Sequence, residues 1–149
     1  MKPLFAVIGL LALAQPALAQ SMLETDFTIS VPRSPGQADV VESTTLVPLL
    51  VGTCYNWHLR LSKTKGPLDI TEVYTLPEAP DNWGLGEDGN ITVSKNRRTA
   101  TSALVFTPVD GWINNGWCIT EGDPEGAYSF EIKSGDTLLH RFEFELKDM

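Results

Sequence analysis

From Phe27 onward, apolar and polar residues alternate in short runs, and no stretch of ten residues carries a helical stripe. Phe27, Ile29 and Val31 alternate up to Pro32, and Arg33 to Gln37 reads as a turn. Val40 to Val51 forms a second extended region, broken by Pro48 and Gly52. Tyr55, Trp57, Leu59 and Leu61 then alternate strictly with Cys54, Asn56, His58 and Arg60. Ile70 to Leu76, Ile91 with Val93, Leu104 with Phe106, and Trp117 to Ile119 add further short strands. Last comes a hairpin. Tyr128, Phe130 and Ile132 lead into a turn at Ser134-Gly135-Asp136, and Leu138, His140, Phe142, Phe144 and Leu146 lead back. Strands of this length, punctuated every dozen residues by Gly, Pro, Asn and Asp, predict an all-β, antiparallel sandwich of about seven to eight strands.

The first nineteen residues stand apart. Lys2, the apolar stretch Leu4 to Ala14, and Ala17-Leu18-Ala19 have the order of an export signal with a small-x-small cleavage site. The apolar stretch is short for a membrane span and breaks at Gln15-Pro16. Residues 1–19 are therefore expected to be removed, leaving a single domain over 20–149 that starts at Gln20, in the periplasm or secreted. No membrane insertion is expected after that. The chain carries nineteen acids against eleven bases, a net charge of −8, and loses one further positive charge with Lys2. Such a surface repels nucleic acid and anionic membranes. It also permits the role of an acidic inhibitor steered onto a basic enzyme.

An exported chain with two cysteines is expected to join them, here Cys54 to Cys118. The alternation places Cys54 out of phase with Tyr55 and Trp57, and Cys118 out of phase with Trp117 and Ile119. Both sulfurs are then expected on the outer face of one sheet.

Asp123-Pro124-Glu125-Gly126-Ala127-Tyr128, running into a strand, resembles the Asp-x-x-Gly-x-Tyr strand opening of immunoglobulin-like and macroglobulin-type domains, here of the kind found in uncharacterised exported bacterial proteins. The resemblance implies an immunoglobulin-like sandwich in which Tyr128 pins a corner. It implies no activity. The antibody-type core places its Trp about a dozen residues after the first Cys, whereas Trp57 follows Cys54 by three.

Candidate chemistry is sparse. Gly84-Leu85-Gly86-Glu87-Asp88-Gly89 matches the dinucleotide fingerprint in letters, but a Pro-rich loop precedes it and Ile91-Thr92-Val93 reads as strand after it. It is read as a plain loop. His58 falls on an outward phase and His140 on an apolar one, so no paired metal site is expected, and no cofactor. Glu121, Asp123 and Glu125 crowd one loop without the spacing of a calcium site. No nucleophile motif is present, so a non-catalytic binding or structural module of the envelope is expected, with a small hydrolase or metal-handling protein as the alternative. Trp83 and Trp112 lie in loop-like Asp-Asn-Trp-Gly and Asp-Gly-Trp sequences. Together with Asn82 and Asp110 they could form a rim for a carbohydrate or an envelope protein, since a flat ring stacks while polar groups orient. The competing reading folds each Trp back as a lid over the end of the sandwich.

Overall fold

In the computed structural model of the protein, residues 21–85 and 89–149 are described. The leader 1–19, Gln20 and the middle of the Gly84–Gly89 stretch lie outside them. Among the described residues every element is a strand: β1 (Met22–Val31), β2 (Val40–Ser43), β3 (Leu46–Pro48), β4 (Cys54–Leu61), β5 (Leu68–Thr75), β6 (Ile91–Val93), β7 (Thr99–Phe106), β8 (Trp112–Cys118), β9 (Gly126–Ser134) and β10 (Thr137–Lys147). They form a four-stranded sheet in the order β2-β1-β4-β8 and a six-stranded sheet in the order β3-β10-β9-β5-β7-β6.

The alternating runs are the inner faces of these sheets. Tyr55, Trp57, Leu59 and Leu61 of β4 are buried against Tyr128, Phe130 and Ile132 of β9 and Phe142, Phe144 and Leu146 of β10. Aromatic rings fill the middle, with Tyr74 and Phe130 stacked at 4.6 Å and Phe130 and Phe144 at 5.3 Å. Close-packed rings of this size dominate a small core.

The architecture expected from the alternation is present, with ten strands rather than seven or eight. One source of the difference is the stretch from Val40 to Val51. It divides at Thr44-Thr45, so β2 pairs antiparallel with β1 in one sheet while β3 pairs parallel with β10 in the other. The same chain segment thus closes one side of the sandwich, and its second half is the one parallel partner among the described pairings. A second difference lies in the final hairpin. A bulge between Leu138 and His140 shifts the phase by one residue, leaving Leu138 49% exposed and packing Leu139 against the core instead. His140 keeps its inward register opposite Ile132 and lies edge-on to Phe142 at 4.5 Å.

Candidate functional site

At one end of the sandwich the loop after β5 folds over the mouth between the sheets. Its anchor is Arg97, whose guanidinium donates to the carbonyls of Pro80 and Asp81 at 3.2 and 3.0 Å. Trp83 Nε1 donates to the Arg97 carbonyl at 3.0 Å, so each residue ties the other. Asp81 rests on Gly122, where an added Cβ would stand 2.6 Å from the Asp81 carboxylate. Gly122 also has φ +88°, so both space and backbone call for glycine. Beneath this loop is a cup of about 180 Å³, lined by Tyr55, Tyr74, Trp83, Trp117 and Asp123 among others, with Asn82 and Gly84 at its exposed mouth.

The floor and far wall of the cup come from the strands. Tyr55 on β4 and Tyr74 on β5 share a hydrogen bond between their hydroxyls. Burial is the main cause that pushes both phenols above their ordinary pKa, and the Asp123 carboxylate adds to it, so they are neutral. Asp123 accepts from the Thr120 backbone N–H at 2.9 Å, and its pKa is raised, chiefly by burial. Next to it, the Tyr128 hydroxyl donates to the Pro124 carbonyl at 2.5 Å. This is the corner that the Asp123–Tyr128 motif implied, and it fixes the turn that carries Asp123.

The expected rim residues divide between two places. Asn82 and Trp83 belong to the cup. Trp112 begins β8 rather than sitting on a loop, and it lies opposite Arg60 at the other end of that strand. Asp110, at φ +51°, makes the turn before it, and its carbonyl accepts from Arg60 Nε at 3.3 Å. The six residue-to-residue steps from Trp112 to Cys118 put the two groups about 20 Å apart at strand rise. They share no single rim.

Cys54 and Cys118 are joined, directly opposite each other on β4 and β8 with Cα atoms 3.9 Å apart. The Ile119 N–H donates to the Thr53 carbonyl next door, which makes the cysteine pair a non-hydrogen-bonded one, where side chains approach most closely. Cys118 is exposed and the bridge lies on the outer face of one sheet, as the alternation indicated.

One residue that the sequence reading passed over stands in the core itself. Glu72, on the inward phase of β5, is fully buried. Its Oε2 accepts from Trp57 Nε1 at 2.6 Å and Asn115 Nδ2 at 3.0 Å, and its Oε1 from Trp117 Nε1 at 2.8 Å. Three donors and no acceptor face it, the complement of a carboxylate. The group bolts the six-stranded sheet to the four-stranded one directly behind the cup wall at Trp117.

A model of the PM0630 beta sandwich domain matches residues 25–147, nearly the whole of the described chain. The chain belongs to that family. Among solved structures, it is similar to an immunoglobulin-like protein from Pseudomonas aeruginosa, with a TM-score of 0.57 and 20% identity over 89% of this chain and 100% of that one. At that identity the likeness shows the fold, an immunoglobulin-like sandwich. No curated protein matches.

Within this family sandwich the remaining candidates lie apart. His58 is on the outer face of the four-stranded sheet, with Nε2 at 2.9 Å from Thr28 Oγ1, while His140 faces inward from β10. Among the described residues no three His, Cys, Asp or Glu side chains gather as a metal site would need. Gly84 and Gly89 both have positive φ, and strand β6 follows them where a dinucleotide fold needs a helix; Gly86, Glu87 and Asp88 lie outside the described residues. No described helix is long and apolar enough to cross a membrane.

Proposed function

We propose that this protein is an exported, non-catalytic binding module of the bacterial envelope, periplasmic or secreted, which takes its ligand in the cup beneath Trp83. The cup carries the reading. It is concave, walled by aromatic rings, and held in shape from outside by Arg97 and by the Asp81–Gly122 contact. Sites for small groups have that composition, apolar walls with a few placed polar atoms. The export signal of residues 1–19 and the bridge between Cys54 and Cys118 both support an oxidising compartment.

The test has two parts. Expressed with its own leader, the protein is expected outside the cytoplasm, beginning at Gln20 and with no free thiol; cytoplasmic protein retaining Met1 overturns the export reading. The mature chain is then screened by thermal shift against small cations, sugars and peptides. A ligand that raises Tm in the native protein, raises it less in Trp83→Ala and is recovered chemically unchanged supports the module. Turnover of that ligand, or no ligand in any class, overturns it.

A further inference from the structure

Strand β8 is an edge of the four-stranded sheet, paired on one side by β4. That ladder is bracketed by two bonds, from the Leu61 N–H to the Gly111 carbonyl and from the Ile119 N–H to the Thr53 carbonyl. The antiparallel pattern between them gives the backbone groups of Ile113, Asn115 and Trp117 to β4 and turns those of Asn114, Gly116 and Cys118 the other way. Trp112, on the same phase, is tied to Val109 in both directions. Among the described residues no other backbone group bonds to the N–H and C=O groups of Asn114, Gly116 and Cys118. The remaining edges are guarded: β2 carries Glu42, β3 ends in Pro48, and β6 is three residues long. By contrast, β8 runs for seven residues without a charge, a proline or a bulge. Such an edge is a template for one more strand.

The facing sheet has room for that strand. β8 lies over β5, with Trp117 against Tyr74 and Asn115 against Glu72, and β5 is followed outward by β7 and then β6. The six-stranded sheet therefore extends two strands past β8, about 10 Å at the usual strand spacing. On this ledge Ile91 and Val93 pair with the buried Ser102 and Ala100, and Leu104 shares their phase. All three are on the inner side, half-buried and apart from the packed core. The overhang also limits the occupant. Two copies joined antiparallel through β8 are related by a two-fold axis perpendicular to the sheet, and their ledges would meet in the same space. A lone strand meets no such obstacle.

We propose that the β8 edge and the β6–β7 ledge form an acceptor site for one extended segment of another polypeptide, added antiparallel as a fifth strand with apolar side chains at alternate positions. Segment residues opposite Asn114 and Gly116 take the hydrogen bonds and point outward with them. The residues between them cover Leu104 and Ile91. This site is separate from the cup, so its failure leaves the reading of the cup untouched.

The probe is a labelled nine-residue peptide, Lys-Thr-Val-Thr-Val-Thr-Val-Thr-Lys, titrated by fluorescence anisotropy with the mature, oxidised protein. It is expected to bind at least about tenfold more tightly than the same composition with the three Val in one block, which cannot keep one apolar face. N-methylation of its Thr residues, whose N–H groups meet β8, is expected to cost at least about tenfold, and N-methylation of its Val residues little. Leu104→Lys is expected to weaken binding about tenfold; circular dichroism checks its fold, and the methylated peptides keep the test open should it fail to fold. Amide hydrogen exchange locates the site. In the free protein Asn114 and Gly116 are expected to exchange faster than Ile113, Asn115 and Trp117, and to slow when the peptide binds. Absence of binding, equal affinity for the alternating and block peptides, or protection at another edge overturns the acceptor site. A concentration-dependent dimer that protects Asn114 and Gly116 without peptide overturns it too, and gives the edge to a second copy.

Discussion

Replacing Glu72 with Gln changes one atom of the core and is expected to destabilise the protein by about 2 kcal/mol. The side chain keeps its shape, so no cavity opens and the effect is confined to hydrogen bonding. Glu72 accepts three N–H groups on two oxygens, from Trp57 and Asn115 on one and Trp117 on the other. A glutamine has one oxygen. Whichever way its amide turns, an N–H2 group meets an indole N–H, at a position now 2.8 or 2.6 Å away. One buried indole donor is orphaned, at about 1–3 kcal/mol, and the surviving bonds weaken as the acceptor loses its charge. Relief of the buried carboxylate's desolvation works in the opposite direction and keeps the net near the middle of that range. Glu72→Leu orphans all three donors and is expected to cost more, about 3–5 kcal/mol.

Urea unfolding followed by far-ultraviolet circular dichroism gives the numbers for a double-mutant cycle with Trp117→Phe. Phenylalanine removes the opposing donor, so Trp117→Phe is expected to cost less in the Glu72→Gln background than in the native one, with a coupling of about 1 kcal/mol or more. Should Glu72→Gln be as stable as the native protein, with no coupling to Trp117, desolvation outweighs the three bonds. Glu72 would then be no bolt between the sheets.

Three further outcomes are expected. Replacing both Cys54 and Cys118 with Ala frees a loop of 64 residues and is expected to cost about 4 kcal/mol in the chain-entropy model; urea midpoints check it, and a change below about 1 kcal/mol refutes the staple. Tyr128→Phe deletes the bond to the Pro124 carbonyl and is expected to cost about 1–3 kcal/mol, read in the same way, whereas a loss under about 0.5 kcal/mol says that the corner is not pinned there. Asp123 has a folded-state pKa raised by burial, so its contribution to stability is present in acid and is lost as pH rises from about 4 through the folded value. Relative to Asp123→Asn, the native protein is therefore expected to gain stability on going from pH 7 to about 4.5; a constant or reversed difference refutes the assignment.

The core was readable because each inner-facing run keeps a period of two over several residues, and register follows from that. Where a strand lacks that signature it is hidden. Asn114, Asn115 and Gly116 have poor strand propensity, yet they continue β8 because β4 offers a full ladder alongside. Gly116 is needed there, since a Cβ would stand 2.2 Å from both the Tyr55 carbonyl and Asn56 Oδ1. That missing stretch is why Trp112 read as loop-borne. The division of Val40 to Val51 between two sheets depends on the distant partners β1 and β10, which local pattern does not carry. Glu72 did leave a trace, an acid on the same phase as Ile70, Tyr74 and Leu76. Its meaning depends on donors 15, 43 and 45 residues away.

The two readings of Trp83, lid and ligand contact, exclude each other only if one ring must spend all of itself on one task. An indole has an N–H, an edge and two faces. In this protein the N–H goes to the Arg97 carbonyl and the ring stands near-perpendicular to Tyr74 and Trp117. Fixing the ring by its polar atom leaves its surface free to form one side of the cup, already in place before any ligand arrives. A wall that need not be ordered on binding lowers the entropic cost of association, which for a small ligand is a large share of the whole. The stability that Trp83 confers and the affinity proposed for it therefore have one origin. A loss of stability in Trp83→Ala does not by itself distinguish them. The Trp83→Phe variant does, because it gives up the N–H anchor while keeping ring surface: a lid alone would lose stability with no ligand effect, whereas a wall of the cup retains most of the affinity in whatever fraction remains folded.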